Sequence, residues 1–169
     1  MERVVAELKE QFDWVICDSP AGIERGATLA MRHADLAVIV TNPEVSSVRD
    51  SDRIIGLLDS KTVKASKGEQ VDKHLLLTRY DPTRAGRGDM LTVDDVLEIL
   101  SIPLLGIIPE SREILKASNV GAPVTLNNPA SAPARAYIEA AKRLSGEAVS
   151  MTVPSRPNLL TKLFGRRAA

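Results

Sequence analysis

Four short, almost unbroken apolar runs constrain this chain more than any other feature. They lie at residues 14–17, 36–40, 74–78 and 104–108, and stretches of helical periodicity separate them. Strands that alternate apolar and polar residues have one face in water; runs this continuous must be covered on both faces. Strand and helix alternating along the chain then imply an α/β fold: a parallel sheet with helices on both faces and right-handed crossovers. The 169 residues suffice for a core.

In such sheets ligands bind beyond the carboxyl ends of the strands. The polar residues expected there are Asp18, the Thr41-Asn42-Pro43 turn, Thr78-Arg79 and Pro109-Glu110. Between the strands, Val4, Val5, Leu8 and Phe12 fit one helix, and residues 29–33 fit the end of another. Ser46 or Ser47 is placed to cap a helix reaching about Leu58. Residues 61–73 and 80–89 read as loops. Thr92 caps a helix carrying Val93, Val96, Leu97 and Leu100, and two more helices fall near 111–116 and 131–144.

A net charge of zero hides an asymmetry. No acid follows Glu147, whereas Arg156, Lys162, Arg166 and Arg167 are basic, so the end of the chain is +4 and the body −4. A basic tail on an acidic body suits an anionic partner at the tail alone and argues against nucleic-acid binding. One cysteine, Cys17, excludes an internal disulfide and reads as a small core hydrophobe. His33 and His74 are isolated and lack the spacing of metal ligands. With no spanning run and no signal-like start, a cytoplasmic location is expected.

The tail has a physical reading of its own. A helix over residues 158–166 gathers Leu159, Leu160, Leu163 and Phe164 on one side, with Lys162 and Arg166 flanking. That pattern fits a helix lying in the plane of an anionic membrane surface. Each basic residue adds about 1 kcal/mol on such a leaflet. Ordering a helix this short offsets much of the gain, so one tail binds weakly and two on a dimer bind far better. The competing reading docks this helix on the protein's own body.

The run 14–17 ends in Asp18 and a small-residue loop containing Gly22. That is the general form of a Walker B segment, whose carboxylate holds Mg²⁺, usually through water. The bland reading makes Asp18 a turn cap. No Gly-Lys-Ser/Thr occurs in the chain, so the P-loop nest and lysine are lacking.

Five segments together resemble one known family: Val15-Ile16-Cys17-Asp18-Ser19-Pro20-Ala21-Gly22-Ile23-Glu24; the thirteen residues from Thr41-Asn42-Pro43-Glu44 to Asp52-Arg53; Leu75-Leu76-Leu77-Thr78-Arg79-Tyr80; Arg87-Gly88-Asp89-Met90-Leu91; and Ile107-Ile108-Pro109-Glu110. With Ala117-Ser118-Asn119, they are similar to the MinD-type septum-site-determining ATPases of the ParA/MinD group of deviant Walker-A proteins. The resemblance runs from about Val15 to the end.

It implies a P-loop NTPase fold of which these residues form the C-terminal portion, and a cofactor pair of ATP and Mg²⁺. It also implies an ATP-dependent homodimer, attachment to anionic inner-membrane lipid, and the partners MinC and MinE. By the same resemblance Asp18 is the switch carboxylate near Mg²⁺ and the attacking water, and Gly22 the switch glycine by the γ-phosphate. Arg79 is implied as the base reader, with Pro109 and Glu110 lining adenine and ribose. Glu44, Ser46, Asp50 and Asp52 are implied as the surface for MinC and MinE. Read from the residues alone, Asp50 and Asp52 are a solvated helix face and Arg79 a surface residue. The expected organisation is an ATPase portion at 1–146, a linker at 147–157 and a membrane-targeting segment at 158–169. Three alternatives remain: a non-catalytic module for membrane and partner binding, a ParA-like partition ATPase, and a truncated or split gene product that does not fold alone.

Overall fold

The computed structural model describes residues 2–19 and 25–155. Three parallel strands in the order β1-β2-β3 form the sheet: β1 (Leu36–Thr41), β2 (Asp72–Tyr80) and β3 (Leu104–Pro109). Helices α1 (Glu2–Lys9) and α2 (Arg25–Met31) precede it. Between β1 and β2 come α3 (Val45–Lys61) and α4 (Val63–Ser66); between β2 and β3 come α5 (Pro82–Ala85) and α6 (Val93–Leu100). After the sheet follow α7 (Arg112–Asn119), α8 (Val124–Asn127) and α9 (Ala132–Leu144).

The sheet is buried as the continuous runs require. Ile39 stands beside Leu75, and Leu77 beside Ile107, in the parallel register. These four point to one face and join Val48 and Leu58 of α3 and Val96 and Leu100 of α6 in the main core. The other face is covered over β3 by α9, and Gly106 sets how close that helix comes. A methyl group there would sit 3.0 Å from Ala140 Cβ and 3.3 Å from Leu76 Cδ1. Helices therefore cover both faces of a parallel sheet.

The fourth expected strand is not formed. Residues 14–19 are irregular, and Trp14 and Ile16 are 56% and 88% exposed. A strand is stable only where its N–H and C=O groups join a ladder, and among the described residues no strand pairs with this run. Cys17 is exposed with it, contrary to the core role expected.

Most helix starts follow the capping oxygens; α3, after Glu44, and α8, after Pro123, have no side-chain cap. Ser111 accepts from the Glu113 amide and Ser131 from the Ala134 amide. Neither Ser46 nor Ser47 caps α3. The helix starts earlier, with Glu44 at the cap position and no side-chain bond. The stretch 61–73 is not all loop: Thr62, buried, accepts from the Ala65 amide to start α4 while donating to the Leu58 carbonyl at the end of α3.

Thr92 and Asp95 form a reciprocal capping box on α6. The Thr92 hydroxyl, then the Thr92 amide, hold the Asp95 carboxyl below its ordinary 3.8. A carboxyl depressed on folding stabilises the protein above its unfolded pKa, and that contribution is lost as pH falls through the folded value. Acid titration of the parent should therefore show this loss below 3.8. Thr92→Ala should cost about 1 kcal/mol at neutral pH and flatten that part of the titration. Thermal unfolding against pH checks both; an unchanged acid limb in Thr92→Ala would refute the linkage.

Candidate functional site

The carboxyl ends of the three strands are joined by side chains. Thr78 Oγ1 lies 3.1 Å from the Thr41 carbonyl and 2.9 Å from Asn42 Oδ1, so its one proton is shared between two acceptors that end β1. The next residue, Arg79, takes φ +56. A non-glycine residue enters this left-handed region only under local constraint. Here the regular β2–β3 register breaks between Leu77 and Tyr80. The Tyr80 carbonyl then accepts from the Glu110 amide at 3.0 Å.

The kink turns the exposed Arg79 toward Glu110, with Nη2 3.6 Å from Oε1. The other carboxylate oxygen of Glu110 faces Arg84 Nη1 at 3.7 Å. Arg84 is held in place because Asp81 caps the short α5, accepting from the Thr83 and Arg84 amides at 2.7 and 3.3 Å. Pro109, the last residue of β3, pairs with Tyr80 in the register and directly precedes Glu110. Ion pairs this exposed are worth about 0–1 kcal/mol, so the cluster positions groups more than it stabilises the fold. It offers two planar guanidiniums, able to stack and to donate, around one carboxylate. That suits a planar polar ligand with hydroxyl groups.

The structure thus brings together three of the expected residues, Arg79, Pro109 and Glu110, and adds Arg84, which the sequence reading passed over. The signal for it was present: an Asp-Pro pair, Asp81-Pro82, at a helix start is a capping pattern. Asp18 is exposed on the irregular segment 14–19. A lone carboxylate with open surroundings still fits Mg²⁺ chemistry, since Mg²⁺ keeps several waters and takes one or two carboxylates plus phosphates. Among the described residues no group of three or more metal-binding side chains occurs. Gly22 lies outside the described residues, as do Leu159, Leu160, Lys162, Leu163, Phe164 and Arg166 of the tail.

Glu44, Ser46, Asp50 and Asp52 are all exposed along the first half of α3. Val48, Ser51 and Leu58 are buried on the opposite side. The outer face is of mixed charge, because Arg53 pairs with Asp50 at 3.4 Å. The start of this helix is tied to the following loop by a bond from the Leu91 amide to the Pro43 carbonyl. A separate cavity of about 590 Å³ lies between α7, α8 and α9, lined by Ile114, Val124, Tyr137 and Ala141 among others. Burial there raises the Tyr137 phenol above its usual range. None of the strand-end residues lines it.

Comparison with known proteins gives consistent results. A model of a ParA/MinD-type family, described as cellulose biosynthesis protein BcsQ, matches residues 1–143. The septum site-determining protein MinD of Neisseria meningitidis serogroup B is 50% identical over 98% of this chain. The chain spans 62% of that protein's length. The MinC:MinD cell division protein complex of Aquifex aeolicus superposes with TM-score 0.79 at 38% identity, covering 89% of this chain and 60% of that one. MinD of Pyrococcus horikoshii, solved with Mg-ADP, superposes with TM-score 0.70 at 29% identity, covering 84% of this chain and 54% of that one.

Proposed function

Because this chain belongs to the ParA/MinD family, we propose that it works in a septum-site-determining ATPase that places the division site. The observation that carries the reading is the 50% identity to a septum-site protein over nearly the whole chain. The family model bears the name of a cellulose-biosynthesis member, but the identity favours the septum-site branch.

In this reading ATP is bound with Mg²⁺, as Mg-ADP is by the Pyrococcus relative, and drives homodimer formation. Arg79 reads the base from its kinked position, with Pro109 and Glu110 against adenine and ribose. Glu110 restrains Arg79 by charge and thereby limits its rotamers before ligand arrives. Asp18 would hold Mg²⁺ through water, and the bound ion would supply charge neutralisation for in-line hydrolysis at the γ-phosphate, beside which Gly22 would lie. The organisation proposed is the ATPase portion at 1–146, a linker at 147–157 and a membrane segment at 158–169. The tail, Leu159, Leu160, Leu163 and Phe164 with Lys162 and Arg166, binds anionic lipid on the cytoplasmic face. Among the described residues no helix is long and apolar enough to cross a membrane. Glu44, Ser46, Asp50 and Asp52 meet MinC and MinE; the Aquifex relative was solved with MinC.

These 169 residues contain no Gly-Lys-Ser/Thr, so MgATP turnover by them alone is expected at the level of a blank. Turnover above the blank that disappears in Asp18→Ala would overturn that expectation. The switch is tested in a protein that carries these residues behind a phosphate-binding Gly-Lys-Thr loop, by sedimentation with anionic vesicles under MgATP, MgADP or no nucleotide, with MinC and then MinE added. MgATP-dependent binding that recruits MinC supports the ATPase reading. Equally strong binding by a monomer without nucleotide supports the non-catalytic module.

A further inference from the structure

Helices α7, α8 and α9 pack around a small core separate from the main one, and small side chains leave room within it. Helix α7 ends at a left-handed turn: Gly121 takes φ +68, and the Ala122 amide donates to the Ala117 carbonyl at 3.0 Å. The reversed chain starts α8 after Pro123, and α8 touches both α7 and α9. Asn128 ties the end of α8 back to α7 through a 3.5 Å bond to Glu113. The cleft of about 590 Å³ left between the three helices is lined by Ile114, Ala117, Val124 and Ala141, with Tyr137 and Ile138 on the α9 side. Its volume lies within the range of small-molecule sites, about 300–1,000 Å³.

The chemistry of the lining selects an occupant. Ser118 and Thr125 reach the cleft beside Tyr137, and none of the three hydroxyls has a hydrogen-bond partner among the described residues. Burial keeps the Tyr137 phenol protonated, so it stays a donor. A wholly apolar occupant would strip these groups of water and give nothing back, so the occupant must bring acceptors. Charge fixes its sign. Residues 111–144 carry five basic side chains against two acids, whereas residues 1–110 carry thirteen against nineteen. Both acids are already engaged, Glu113 by Lys116 and Asn128, and Glu139 by Thr152. Arg135, Ile138 and Lys142 are exposed at i, i+3 and i+7 along one side of α9, so a cation stands one turn to either side of the Ile138 that lines the cleft. The lining holds one aromatic ring and no second to sandwich a planar ligand; its aliphatic groups suit a flexible chain.

We propose that this cleft binds a monomeric amphiphile with a single acyl chain and an anionic headgroup, of the fatty-acid class. The chain lies on Ile114, Ala117, Val124 and Ala141, and the headgroup faces the cations of the α9 rim. The inference needs neither nucleotide nor any residue beyond 155.

The experiment titrates the full chain, with isotopically labelled tyrosines, with dodecanoate kept below its micelle concentration. The chain has two tyrosines, and the other, Tyr80, ends β2, so the nuclear magnetic resonance signal of Tyr137, assigned with Tyr137→Phe, reports on the cleft alone. Saturable movement of that signal at one dodecanoate per chain, with Tyr80 unmoved, supports the proposal. A Tyr137 signal that stays still up to the solubility limit overturns it. Ala141→Phe puts a ring into the cleft from an exposed position and is expected to weaken binding by about tenfold. Lys142→Glu reverses a rim charge and is expected to weaken it by about threefold. Parental affinity in both variants overturns the site; Lys142→Glu, on the surface, decides the case if Ala141→Phe lowers the unfolding midpoint. Dodecyltrimethylammonium, the same chain with a cationic head, should bind more weakly than dodecanoate, and equal binding overturns the anionic headgroup. A Tyr137 signal moved by phosphatidylglycerol vesicles and not by dodecanoate overturns the proposal in favour of a membrane-docking face.

Discussion

Leu75→Ala is expected to lower the unfolding midpoint of this protein by roughly 10 °C. Leu75 is fully buried in the central strand, beside Ile39 of β1 and Leu104 of β3. A sheet held between helices cannot collapse around a missing side chain at its centre, so transfer energy is lost and a cavity is left. Such truncations cost about 2–5 kcal/mol, and each kcal/mol moves the midpoint of a domain this size by about 2–4 °C. Leu115→Ala is the control. Leu115 is 66% exposed, so its loss should change stability by no more than about 0.5 kcal/mol. Equal shifts in the two variants, measured by calorimetry, would mean that the core does not sit where it is described.

Gly106→Val should be the second most damaging change, for the opposite reason. Here the cost is excess volume. A Cβ at Gly106 already meets Ala140 Cβ at 3.0 Å and Arg143 Nη2 at 3.4 Å; two further methyl groups have nowhere to go. Overpacking of this kind costs about 1–3 kcal/mol, and α9 must move off β3 to relieve it. The variant Gly106→Val/Ala140→Gly tests the geometry directly. Removing the Ala140 methyl should restore part of the midpoint; no recovery would place the clash elsewhere.

Most of the fold could be read before it was seen, and the failures have particular causes. The runs at 36–40, 74–78 and 104–108 became strands because each found a ladder and a helix on its face. The run at 14–17 carries the same apolar signal, but the signal reports suitability for burial and not the presence of a neighbour. Thr92, Ser111 and Ser131 were legible as caps because their oxygens make the bond that starts the helix. The start of α3 was not, since Glu44 makes no such bond and two serines stand one and two residues beyond the first helical position. Helices of four residues, such as α4 and α8, carry too little periodicity to detect.

The site divides in the same way. Residue types at the strand ends pointed to Arg79, Pro109 and Glu110. The positive φ of Arg79 had no glycine to announce it, and it is what turns that side chain toward Glu110. The bonds from Arg143 to Val149 and Ser150 were invisible because their acceptors are backbone carbonyls, which every residue has.

Thr78 and Arg79 are neighbours on β2, yet they lean on different parts of the molecule: one on Asn42, where the chain turns into α3, the other on Glu110, past the end of β3. Successive Cα atoms stand about 3.8 Å apart. The face of α3 and the guanidinium cluster are thus separated by one peptide unit of shared strand, like two levers on a single short axle. Any rotation of that unit reaches both sides at once, so a ligand that straightened Arg79 would be felt at the foot of α3 without a relay through the core.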